Sequence, residues 1–145
     1  MTPPRRPTVS TVSSPGEALA WVAALVFTLS SFMAWYTADQ PYITVSVIGW
    51  HTGTIGKLTF FVGVLVIGFL FLRATGVELP PGVPAGMLIA GVGTAGTILV
   101  MIRVIDVPDR LVGFGRAIGI WIALASALAL VVAGLLRAGE ESLAP

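Results

Sequence analysis

Apolar positions along the chain gather into four long runs, at about residues 18–35, 58–72, 83–102 and 118–136, with short polar stretches between them. Runs of this kind predict helices that cross a bilayer, for which about 17 to 25 apolar residues suffice. The second run is short, but Lys57 and Arg73 bracket it, and snorkelling of their side chains extends its reach. The third run is studded with small residues. Stepping about 100° per residue, Gly86, Ala90, Gly93 and Thr97 share one narrow face. Such a stripe lets a neighbouring helix come close, which is what drives helix association where lipid removes the hydrophobic drive. We therefore expect the third helix at the centre of a small bundle. The fourth run carries a second seam, with Gly119, Ser126 and Ala133 at steps of seven and Ala123 beside them.

Between the first two helices the period changes. In residues 42–48, Ile43, Val45 and Val47 share one side while Thr44 and Ser46 take the other, bounded by Pro41 and Gly49. β-Branched alternation between breakers predicts a strand. A lone strand is not stable in water, so it must lie on the bundle rim, pair with a partner or pair with another copy. Residues 1–16 are rich in Pro, Ser and Thr and predict a disordered cytoplasmic tail. Arg5-Arg6 precede the first run, but no small-x-small cleavage site follows, which favours an uncleaved signal-anchor. A turn is expected around Gly76 and Pro80-Pro81-Gly82, with Pro84 opening the third helix, and residues 138–145 read as a short tail. The predicted fold class is an all-α membrane protein: a four-helix transmembrane domain over 17–137 with a strand-like outer loop.

Composition agrees. With 56% hydrophobic and 10% charged residues among 145, the chain is far from a soluble domain, where about a quarter are charged. It makes one domain. A net charge of +1 argues against nucleic acid as a partner. The absence of cysteine removes disulfides, thiolate metal sites and dithiol relays. Seven Arg to one Lys and no Asn hint at a GC-rich, bacterial genome. Arg5, Arg6, Arg73 and Arg137 balance Lys57, Arg103, Arg110 and Arg116 across the membrane. The first helix usually decides such a tie, so both termini are expected in the cytoplasm of a multi-pass cell-membrane protein.

The four runs contain no Asp, Glu, Lys, Arg or His, the residues that mark ion and proton paths through a membrane. His51, the only histidine, shares a loop with Asp39, too few ligands for a catalytic zinc site. Arg103, Asp106, Asp109, Arg110 and Arg116 form the densest charge group; in a helix, Arg103–Asp106 and Asp106–Arg110 would pair. It reads as a solvated turn at the membrane boundary or a surface for anionic head groups. Trp35, Tyr36, Tyr42, Trp50 and Trp121 are expected near the outer face, where aromatic residues prefer to sit.

Phe32-Met-Ala-Trp35-Tyr36, Ser46-Val-Ile-Gly49-Trp50 and Arg103-Val-Ile-Asp106-Val-Pro108 followed by Gly119-Ile-Trp121 together resemble a group of small four-span membrane proteins, common in actinobacteria and their relatives. That group ends its first helix in Pro-Trp-Tyr; here Ala34 stands in the proline's place. The resemblance implies a four-helix membrane fold and no activity. The functional expectation is a non-enzymatic accessory or scaffold protein, with no catalytic residue, metal or cofactor. Its candidate interaction surface is Trp35, Tyr36, Tyr42, Trp50, His51, Arg103, Asp106 and Arg110, facing membrane lipids, a membrane-protein partner or itself. The alternative is a homo-oligomeric transporter, channel or lipid carrier with Thr94, Thr97 and Ser126 along its path.

Overall fold

The computed structural model describes residues 15–76, 84–107 and 113–143, leaving the side chains of 141–143 aside. The basic pair Arg5-Arg6, the Pro80-Pro81-Gly82 turn and Pro108, Asp109 and Arg110 lie outside the described residues. The fold is mostly helical: α1 (Pro15–Ser30), α2 (Thr54–Ala74), α3 (Ala85–Ile105) and α4 (Ile118–Leu143). Three strands accompany them, β1 (Ala34–Gln40), β2 (Ile43–Ile48) and β3 (Gly115–Arg116), with a 3-10 turn at Gly49–His51. α2, α3 and α4 are each long and apolar enough to cross a membrane; α1 is apolar but has only 16 residues.

The helices alternate in direction. Gly16 lies against Leu136, Arg137 and Glu140, and Gly86 lies against Gly134 and Ala138, so α1 and α3 both run antiparallel to α4. Gly63 of α2 meets Thr28 near the end of α1, and α2 closes the ring beside α3. All strands sit at one end of this bundle; the outer end of α4 and the starts of α1 and α3 share the other.

α4, rather than α3, is the most deeply packed of the three long helices. It forms the two closest helix interfaces, with α3 and with α1, and 44% of its apolar window is buried against 28% for α2 and for α3. The reason lies in its two small-residue faces. Gly134 and Ala138 admit the backbone of α3, while Gly119 admits Met33 and Ala34 just beyond α1. Ala123, Ala127, Leu130 and Ala133 fill the space between and are fully buried. On α3, Gly86, Ala90 and Gly93 meet α4, and Gly96 meets the ring of Phe27 on α1. Thr97 is only half-buried and its hydroxyl turns back to the Gly93 carbonyl, 2.8 Å away. Ser126 is buried with its hydroxyl on the Ala123 carbonyl at 3.0 Å.

The helix ends differ from the sequence-based expectation, most of all at two places. α1 stops at Ser30, five residues before the apolar run does, because tight i to i+3 turns through Met33 redirect the chain into β1. α4 continues past Arg137 through Leu143, and the Glu140 carboxylate accepts the Gly16 amide at 3.1 Å. A carboxylate at the positive start of a helix is favourably placed. The segment read as a short tail thus joins α4 to α1.

The strand over 43–48 is present and its partner is its own neighbour. β2 pairs antiparallel with β1, from Gln40↔Ile43 back to Ala34↔Ile48. β1 also pairs with β3 through Tyr36↔Arg116 and Thr37↔Gly115, giving the order β2-β1-β3. The fold is therefore helical with a small antiparallel sheet at one end, and not purely α.

Candidate interaction site

The described residues singled out for the interaction surface converge on the sheet end of the bundle, but two of them face inward. Trp35 and Tyr36 are fully buried. A bulge between Ala34 and Tyr36 turns the Trp35 indole over Gly49, where its Nε1 donates to the Ser30 carbonyl at 2.8 Å. Trp35 and Tyr36 are therefore packing residues rather than interfacial anchors, and neither presents a surface.

Tyr36 and Arg116 complete α3. The last carbonyls of a helix lack partners within it and need them from elsewhere. Here the Tyr36 hydroxyl donates to the Arg103 carbonyl, and Arg116 Nε donates to the Val104 carbonyl at 2.6 Å. The Arg116 cation also sits favourably at the negative end of the helix dipole. Both caps come from paired positions on β1 and β3, so the sheet is fastened to α3 by its polar side chains. Arg116 belonged to the charge group legible in the sequence; that it caps a helix depends on the fold.

Burial raises the Tyr36 phenol above its ordinary 10.0, against the pull of Arg103 and Arg116 and with Asp106 adding to the rise. The folded protein then holds this proton where the unfolded chain has released it. Stability from Tyr36 should be full below pH 10.0 and fall as pH climbs toward the raised value. Alkaline titration of the melting temperature checks this. Tyr36→Phe should flatten the alkaline fall relative to the parent and cost about 1 kcal/mol at neutral pH, the usual net worth of one hydrogen bond.

The remaining candidates lie outside this core. Trp50 is half-buried among Phe32, Phe60 and Phe61, at ring-centroid distances of 6.0, 5.2 and 6.0 Å, with the Lys57 ammonium 5.8 Å from its ring centroid. His51 is exposed at the end of the 3-10 turn. Asp39 lies near the hairpin tip and accepts from the Thr44 hydroxyl at 3.2 Å. Among the described residues no three His, Cys, Asp or Glu side chains gather where they could hold a metal. Arg103 and Asp106 form no ion pair: α3 ends at Ile105 and Asp106 is extended (φ −109°, ψ 96°), which breaks the helical spacing the pairing required. Arg110, the last candidate, is outside the described residues.

Tyr42 is different. It is wholly exposed and it occupies the second position of the Pro41–Tyr42 turn at φ 80°. That combination matches a type II turn, whose second central residue is ordinarily Gly or Asn. Among the described residues Tyr42 is the only non-glycine with positive φ. The hydroxyls proposed for a transport path each donate within their own helix. Thr94 and Thr97 each donate to the carbonyl four residues back at 2.8 Å, and Ser126 to the one three back.

No protein-family model, curated protein or solved structure matches the chain.

Proposed function

We propose that the chain is a four-span membrane protein that serves as a non-enzymatic accessory or scaffold subunit, docking a partner in the same membrane through its hairpin. Support for the membrane setting comes from the broad apolar surface left outside the bundle, including Leu29, Phe61, Leu65, Phe71, Ile98 and Leu135. Exposed apolar area on that scale needs lipid or protein to cover it. α1 would cross as the fourth span, its 16 residues giving about 24 Å and the turns through Met33 the rest of the depth. The termini would face the cytoplasm and the hairpin the opposite side.

The observation that carries the docking role is Tyr42. A left-handed backbone costs a residue with a side chain about 1–2 kcal/mol, and a fully exposed ring gains nothing within the chain to offset it. Strained residues of this kind cluster at active sites, ligand clamps and switch segments. Tyrosine is also among the residues that most often anchor interfaces.

One substitution tests this. Tyr42→Gly should raise the stability of the isolated protein by about 1 kcal/mol, because glycine takes positive φ without strain. It should lower recovery of a stoichiometric complex in mild detergent at least about ten-fold, as loss of an anchor residue does. Unchanged recovery, or a parent protein that sediments alone as a monomer, counts against the docking role.

A further inference from the structure

β2 is the outer strand of the sheet, so one of its edges has no partner among the described residues. Which backbone groups that edge carries follows from the hairpin register. A two-residue turn of this type closes on a hydrogen-bonded pair, here Gln40↔Ile43. Hydrogen-bonded and non-hydrogen-bonded pairs then alternate, so Ile43, Val45 and Val47 point their N–H and C=O groups at β1. Thr44, Ser46 and Ile48 point theirs outward. The contact between the Thr44 hydroxyl and Asp39 fits this assignment, since side chains approach most closely at non-hydrogen-bonded pairs.

Edges of this kind invite another strand, and folded proteins ordinarily blunt them with charge, proline or brevity. β3, the opposite edge, has only two residues and one of them is Arg116. β2 has six, Ile-Thr-Val-Ser-Val-Ile, with neither charge nor proline. Two such strands do not repel each other. Antiparallel self-pairing about Ser46 also brings outward-pointing residues opposite one another throughout, Ser46 on Ser46 and Thr44 on Ile48. Copies inserted with one topology carry their hairpins at one depth, and a twofold axis between them makes a closed, self-complementary contact.

We propose that the partner docked by the hairpin is a second copy of this chain, joined β2 to β2 in antiparallel register centred on Ser46, so that two three-stranded sheets become one of six strands. The inference rests on the docking reading above and names its partner. The exposed Tyr42 of each copy then lies beside the far end of the other copy's β2, where the ring gains a surface.

The chain contains no cysteine, which makes the test direct. Ser46→Cys is introduced into the full chain, and membranes are oxidised with copper phenanthroline and run on a non-reducing gel. Opposed hydrogen-bonded residues lie about 5.5 Å apart between Cα atoms, inside the range a disulfide spans. Ser46→Cys should therefore form dimer as the major species. Two copies of Thr44→Cys would sit four residues out of register, about 13 Å along the strand, and should cross-link at least about ten-fold more slowly. The double variant Thr44→Cys/Ile48→Cys should restore the dimer. Ser46→Pro removes an outward N–H without touching the ladder to β1, and should leave a folded monomer on sedimentation; if it fails to fold, Ser46→Lys blunts the same edge by charge. Equal cross-linking at 44 and 46 means random collision and overturns the proposal. A monomeric Ser46→Cys overturns it too. If capture of some other protein still depends on Tyr42 in that case, the docking role stands with a different partner; if it does not, both fall together.

Discussion

Gly134→Leu should be among the most damaging single substitutions in this protein, lowering stability by about 3 kcal/mol or more and the melting temperature by about 10 °C. The argument is steric and reciprocal. A Cβ on Gly134 would lie 2.3 Å from the Ala90 nitrogen and 2.6 Å from the Gly86 oxygen. A Cβ on Gly86 would lie 2.3 Å from the Ala138 nitrogen and 2.6 Å from the Gly134 oxygen. Those neighbours are backbone atoms, so no rotamer change relieves the clash; α3 and α4 must separate along their length. Separation forfeits the dispersion contacts of the closest interface in the bundle, which lipid tails replace only in part. Gly91→Leu supplies the matched control on α3. Nothing lies within 4 Å of a Cβ there, so the added side chain would enter open space. Its effect should stay within about 0.5 kcal/mol. If the two variants melt together in detergent or in nanodiscs, the α3–α4 contact does not hold the bundle.

How much of this was legible beforehand depends on how local each signal is. α2, α3 and α4 are visible because an apolar run of spanning length has few other uses. Their ends are less so: Lys57, Arg73, Arg103 and Arg137 all lie within helices, since a long basic side chain can continue a helix beyond the apolar window. A stripe of small residues is readable on one helix, but not which residues it meets. Gly86, Ala90 and Gly93 point to a close neighbour, and the seam of Gly119, Ser126 and Ala133 on the fourth helix matches them, but the residues that receive them, Gly134 and Ala138, lie beside that seam. The end of α1 was hidden because Phe32, Met33, Trp35 and Tyr36 prolong the apolar run while the backbone has already left the helix. β1 reads Ala-Trp-Tyr-Thr-Ala-Asp-Gln, with no alternation, and its hairpin turns on Pro-Tyr rather than the Asn-Gly or Asp-Gly that announces one. The capping of α3 by Tyr36, across 67 residues of chain, is set by tertiary structure alone.

Trp35→Ala should rival the glycine variant, costing about 3–5 kcal/mol, the usual range for emptying a buried aromatic site. Trp35 joins three parts of the sheet end. Its indole covers Gly49, its Nε1 donates to the Ser30 carbonyl where α1 stops, and its own carbonyl accepts the Ala117 amide at 2.7 Å just before α4 begins. Truncation opens a cavity and removes one of two donors to the Ser30 carbonyl, which keeps the Met33 amide at 3.1 Å; Trp35→Phe, which keeps a ring but loses the donor, should cost about 1 kcal/mol. The sharper prediction concerns the pair. A Cβ on Gly49 would lie 2.4 Å from the indole, and the ring, itself fully enclosed, cannot move aside. Gly49→Val should therefore be severely destabilising alone. With Trp35→Ala the clash disappears and the valine partly fills the cavity, so the double variant should be more stable than the sum of the two losses implies. A coupling of about 2 kcal/mol or more is expected from residues in such contact. Simple additivity in the double-mutant cycle would mean that Trp35 does not pack on Gly49, and that the hairpin is held to the bundle in some other way.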